Sequence, residues 1–195
     1  MTARPCLPWP HPILKSPAAI VPAITDDIRA IWTDMIDTME AMPGYGLAAV
    51  QIGIPLRLAV VDCSTERGQA IRMANPEILH ASVQPRDHEE ASPNLPGVSA
   101  LITRPRAVTV RYTNERGEIE DRDFVHLWAT SVQHQIDHLA GKMYFDRLSP
   151  LRRAAWRRVM SASPACRCRP LAGPQRRRLP PLGPVSRRLS PRHSP

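Results

Sequence analysis

No apolar run in this sequence approaches the ~18 residues that a membrane-crossing helix needs. The apolar stretch Leu47–Val61 is interrupted by Gln51 and Arg57. The N-terminus lacks the apolar core of a secretory signal and carries prolines at 5, 8, 10, 12 and 17 instead. Cysteine is scarce, and Cys6, Cys63, Cys166 and Cys168 lack the spacing of a disulfide framework. They read as reduced thiols of a cytoplasmic protein. Cys166-x-Cys168 sits in low-complexity sequence and is not read as a metal site. No internal repeat is visible.

Acidic residues are absent from positions 161–195, which hold eight arginines, no lysine and eight prolines. The chain's formal charge is +8, from 26 Lys and Arg against 18 Asp and Glu. Residues 1–160 therefore carry eighteen basic and eighteen acidic groups, and the whole net charge belongs to the tail. A folded surface built to embrace nucleic acid is thus not indicated, which leaves a basic arm that could dock on ribosomal RNA through Arg176–Arg178 and Arg187–Arg188. Its Pro/Arg/Ser composition reads as disordered, and an alternative source is a shifted reading frame in GC-rich DNA. Residues 1–160 are long enough to bury a core and are expected to form one domain.

Within it, Thr25 reads as an N-cap, with Asp26 and Asp27 in the first turn. Ile28, Trp32, Met35 and Met39 recur at helical spacing, so 26–41 is predicted as an amphipathic helix ended by Pro43-Gly44. Residues 56–62 and 71–74 read as strands, the second closed by Asn75-Pro76. Residues 108–112 and 118–124 flank Asn114-Glu115-Arg116-Gly117, a hairpin signal. A helix is predicted over about 125–140, capped by Gly141, and a short basic helix over 151–160. This order of elements indicates an α+β fold.

His134 and His138 stand i, i+4 in the predicted helix, which puts both imidazoles on one face, as a shared metal requires. The metallohydrolase pattern H-E-x-x-H would place a general-base Glu after the first His. Gln135 stands there, and an amide cannot take a proton from water. Gly44-Tyr45-Gly46-Leu47-Ala48-Ala49-Val50-Gln51 reads as a glycine loop that lets backbone approach a ligand, with Gln51 offering an amide N–H. A dinucleotide loop is excluded by the order helix-before, strand-after.

Together these segments resemble the peptide deformylase family. G-x-G-L-A-A-x-Q is matched by Gly44 to Gln51, and Q-H-E-x-D-H-L-x-G by Gln133 to Gly141 with one change. The middle block, usually E-G-C-L-S-x-P-G, appears as Glu90-Ala91-Ser92-Pro93-Asn94-Leu95-Pro96-Gly97. The resemblance covers roughly residues 5–160. It implies a partly antiparallel, mixed sheet around a central helix bearing His134 and His138. It also implies removal of the formyl group from formyl-methionyl nascent chains, and a divalent metal, iron or zinc, held by one Cys and two His. The metal would generate hydroxide and polarise the formyl carbonyl. The helix Glu would handle the proton, while Gln51 and the N–H after the Cys would stabilise the oxyanion. Gly46, Leu47 and Leu127 would line the methionine pocket.

The departures fall on this chemistry. Ser92 occupies the Cys position, and a neutral hydroxyl is a poor substitute for a thiolate. Metal affinity is expected to be weakened or lost. Gln135 replaces the base, Pro93 has no N–H to donate, and Ala91 replaces a glycine. Glu90 is expected to pair with Arg104 and hold the loop, while His88 and Glu89 read as surface residues. The leading expectation is a deformylase-like protein without deformylase activity. The alternative is a weakened or altered metallohydrolase using Ser92 or a nearby carboxylate, and the third is the RNA-binding arm.

Overall fold

The structure is a computed structural model and describes residues 3–162. Expectations for the basic tail therefore lie outside the described residues. Three helices, α1 (Asp26–Glu40), α2 (His126–Leu139) and α3 (Pro150–Ala162), accompany seven strands. The strands are β1 (Gly46–Ala48), β2 (Leu58–Val61), β3 (Ile71–Ala81), β4 (Pro85–Ser92), β5 (Leu95–Pro105), β6 (Ala107–Thr113) and β7 (Ile119–Val125). Five of them form one sheet in the order β1-β2-β3-β6-β7, and β4 and β5 form a separate hairpin. The fold is α+β. Among the described residues the strand pairs are antiparallel, and Ala19–Leu56 forms an isolated parallel bridge.

β2 shows why the sheet is buried on both sides. Leu58 and Val60 join Trp32, Met35 and Met39 of α1, while Ala59 and Val61 join Ala129, Val132 and Leu139 of α2. Alternating side chains point to opposite faces, and both faces here meet a helix. α1 begins as expected, with Thr25 Oγ1 accepting from the Ile28 N–H at 3.4 Å. The hairpin at Asn114–Gly117 is also present, with Gly117 at φ 85°.

One expected strand end is not found. Asn75-Pro76 does not close β3, which continues to Ala81. Asn75 instead bulges at φ 53°, and its carboxamide exchanges hydrogen bonds with Val21 N and O at 2.9 and 2.8 Å. The local turn signal is thus used to fasten the N-terminal segment to the sheet. The long β4–β5 hairpin was also not predicted. β4 is largely charged and half exposed, so it lacks an apolar alternation.

The N-terminal segment crosses both units. Leu7 N donates to Gln51 O, Trp9 N to Asn94 O, and Ala18 N to Leu139 O, at 2.8–2.9 Å. It thereby links the short 3-10 turn at Ala49–Ile52, the β4–β5 turn and the end of α2.

Candidate active site

α2 carries the site, and most of its polar side chains are buried. Such a helix needs a partner for each polar group. Gln133 Nε2 donates to Pro105 O and Ala129 O, both at 3.0 Å. Asp137 accepts from Arg104 Nη1 at 2.8 Å and from Arg147 Nε and Nη2 at 2.7 and 2.6 Å. Arg104, 1% exposed, also makes a two-pronged contact with Glu90 at 2.5 and 2.8 Å. The expected Glu90–Arg104 pair is present and extends into a buried network across β4, β5 and α2.

Glu90 has a second role that the sequence did not disclose. Its Oε2 lies 2.8 Å from His134 Nδ1. Burial opposes ionisation of Glu90, but the hydrogen bonds from Arg104 and His134 outweigh it and bring the carboxyl down to about 2. An ionised carboxylate accepts, so His134 donates from Nδ1 and turns the Nε2 lone pair towards His138. The two Nε2 atoms are 3.1 Å apart. Both Nε2 atoms thus point into the same space beside Ser92. Burial, reinforced by His134 and Arg104, pushes His138 well below the ordinary imidazole value, so its ring is neutral.

Ser92, at the end of β4, completes the cluster with Oγ 3.5 Å from His138 Nε2. Its hydroxyl donates to Asn94 Oδ1 at 3.1 Å and lies 3.4 Å from both Gln51 Nε2 and the Asn94 N–H. Its lone pairs thus face donors. The fold does bring the sequence-predicted Ser92, His134 and His138 together, but this donor set does not fit the family's metal. Among the described residues, no three His, Cys, Asp or Glu side chains converge as a metal site. A neutral, hydrogen-bonded hydroxyl supplies no anionic ligand.

A cavity of about 610 Å³ opens over this cluster. Gly46, Gln51, Leu127, His134 and Gln135 line it, with Ser92 and Pro93. Leu47 does not. It is fully buried in the core with Trp32, because β1 alternates and turns Leu47 towards α1 while Gly46 faces the pocket. A Cβ on Gly46 would fall 2.7 Å from Ser131 Oγ and 2.8 Å from Gln135 Nε2. The bare Cα of Gly46 thus lets β1 pack directly against the side chains of α2. Gln135 is 4% exposed, and its Oε1 has no hydrogen-bond partner. His88 and Glu89 also border the cavity, with Glu89 accepting from Ser99 Oγ at 2.5 Å.

Asn94 was missed. It is 1% exposed, and the sequence signal was available, since the middle block usually has Ser at this position. The reach of its carboxamide was not readable from the block.

Comparison with known proteins agrees with this geometry. The family model "Polypeptide deformylase" matches residues 3–154. A peptide deformylase of Phenylobacterium zucineum is 41% identical over 155 residues, covering 78% of this chain and 92% of that protein. One from Caulobacter vibrioides is 42% identical over 142 residues, covering 72% and 82%. The crystal structure of a peptide deformylase from Legionella pneumophila superposes with a TM-score of 0.74 at 35% identity, covering 80% of this chain and 92% of that one. The chain belongs to the peptide deformylase family.

Proposed function

We propose that this chain is a peptide deformylase family member whose deformylase activity is lost, and that its pocket still receives methionyl-type peptide N-termini. The observation that carries the reading is Ser92. A serine hydroxyl, neutral and already hydrogen-bonded, stands beside His134 and His138 where the family holds a metal with a thiolate. Two neighbouring losses support the reading. Gln135 cannot act as a base, which costs ~10²–10⁴ in rate in general acid–base catalysis. Pro93 cannot donate an N–H to an oxyanion, a loss on the order of 10²–10³. These factors do not multiply when groups act as a unit, but all lower the rate. The binding half rests on the cavity itself. Its size and the apolar Met42, Leu95 and Leu127 walls suit an unbranched thioether side chain.

The test compares formate release from a formyl-methionyl peptide by the parent and by a Ser92→Cys, Pro93→Leu, Gln135→Glu revertant, each supplied with iron, nickel or zinc. The parent is expected to be silent while still binding the peptide in calorimetry. The revertant is expected to regain measurable turnover. Formate release by the parent would overturn the reading and favour a metallohydrolase with an unconventional ligand near Ser92.

A further inference from the structure

His88 lines the cavity, and its ring has an unmet hydrogen bond. Along β4, Arg86, His88, Glu90 and Ser92 are the less exposed positions, so His88 shares the inward face of Glu90 and Ser92. Ile102, opposite it on β5, is 1% exposed. The Nδ1 of His88 is enclosed without a hydrogen-bond partner among the described residues, so a proton there would have no acceptor. The ring's proton therefore sits on Nε2, the nitrogen that is not enclosed. His88 thus presents an N–H donor. The neighbouring hydroxyls of α2 do not compete for this role. Thr130 Oγ1 donates to His126 O at 3.2 Å and Ser131 Oγ to Tyr45 O at 3.0 Å, so both hydrogens are committed to backbone carbonyls. Position matters as much as chemistry. His88 and Ser92 stand four residues apart on β4, roughly 13 Å at ~3.3 Å per residue. That is about the reach of an N-acyl group plus an extended, unbranched side chain with a contact at each end. A ligand seated with its acyl end at Ser92 and its first side chain laid along β4 brings the end of that side chain to His88.

We infer that His88 is a specificity-determining residue that reserves the end of the pocket for an unbranched side chain with an acceptor oxygen on its δ atom. The apolar Met42, Leu95 and Leu127 enclose the stem, and the His88 Nε2–H binds the oxygen. Oxidised methionine carries such an oxygen on sulfur, and glutamine carries it on carbon. An unoxidised thioether offers only a weak acceptor there. The inference rests on the reading that the pocket receives peptide N-termini, and narrows it.

The experiment measures by calorimetry the binding of four formyl peptides to the full chain. They differ only in the first residue: methionine sulfoxide, glutamine, methionine or norleucine. The same series is run on His88→Phe, which keeps a ring but has no N–H. The affinity of the sulfoxide or glutamine peptide relative to the norleucine peptide is expected to fall on the order of 3–10-fold in His88→Phe, the size of one net hydrogen bond. A fall for the sulfoxide assigns the oxygen to oxidised methionine, and a fall for glutamine assigns it to a carboxamide. His88→Gln restores an N–H donor and should keep the parent's ratios. Ratios unchanged in folded His88→Phe would overturn the inference and leave the underlying reading intact. No binding of any of the four peptides by the folded parent would overturn the underlying reading, and the inference with it. A second readout needs no variant: in nitrogen NMR of the parent, the His88 Nε2 resonance should shift with the sulfoxide or glutamine peptide and not with the norleucine peptide. A ring proton found on Nδ1 alone would overturn the inference directly.

Discussion

Arg104 shows how a buried charge can be tolerated at the centre of this site. It is enclosed by Glu90 and Asp137, and Asp137 is shared with the more exposed Arg147. Removing one partner of such a cluster leaves an uncompensated charge, which costs roughly 3–5 kcal/mol. Arg104→Met is therefore expected to lower unfolding free energy by about that amount in urea titration, and a loss below about 1 kcal/mol would contradict the network. The same groups set a pH dependence. Glu90 ionises at about 2 in the fold against an ordinary value of 4.5, and Asp137 is also held below its ordinary value, because Arg147 and Arg104 outweigh the opposing effect of burial. A depressed carboxyl stabilises the fold fully above its unfolded value and loses that contribution as pH falls. For Glu90 the window is about pH 4.5 down to about 2, and the amount is on the order of 3 kcal/mol. Unfolding free energy measured from pH 6 to pH 3 should fall accordingly, and Glu90→Gln should flatten the slope. A slope unchanged by Glu90→Gln would show that other groups set it.

At the scale of elements, the sequence was most readable where a single face is apolar. α1 follows from Ile28, Trp32, Met35 and Met39, and the β6–β7 hairpin from Gly117, because periodicity and a positive-φ turn are local properties. The β4–β5 hairpin was not readable, since β4 is largely charged and the apolar side of β5 packs on Met143, Tyr144 and Phe145, beyond α2. The candidate site was readable through spacing and block matches at Gln51, Ser92, His134 and His138. What stayed hidden were distances between elements: Glu90 to His134, and Asn94 to Gln51. Leu47 was misplaced because a block match does not tell which way a strand residue faces. Gly141 was read as a cap and proves to be more than that. It ends α2 at φ 72°, and a Cβ there would lie 2.7 Å from the backbone C and O of Lys15. Gly141→Ala thus combines left-handed strain with a clash against a segment that is tied at Ala18 to Leu139. A loss of roughly 2–4 kcal/mol is expected in thermal or urea unfolding. A near-neutral effect would mean that the N-terminal segment yields easily at this crossing.

At the scale of the whole molecule, charge and core are separated along the chain. Every buried residue described lies between Leu14 and Phe145, and both sheets are complete before α3. The formal charge of +8 is matched by the eight arginines beyond residue 160. A chain ended after Ala162 should therefore keep its unfolding free energy within about 1 kcal/mol of the full chain, since no described core contact is removed. The same truncation should change association with RNA far more than it changes folding. Binding through phosphates releases counterions, so log affinity falls with log salt by ~0.9 for each phosphate neutralised on a duplex. Comparing full and truncated chains on ribosomal RNA between 50 and 300 mM salt separates the two halves of the sequence. Salt-steep binding by the full chain and none by the truncated one would assign RNA contact to the arginines. Equal binding by both would place the contact on the neutral domain and remove the basic arm as its cause. No binding by either would leave the peptide pocket as the functional surface of this chain.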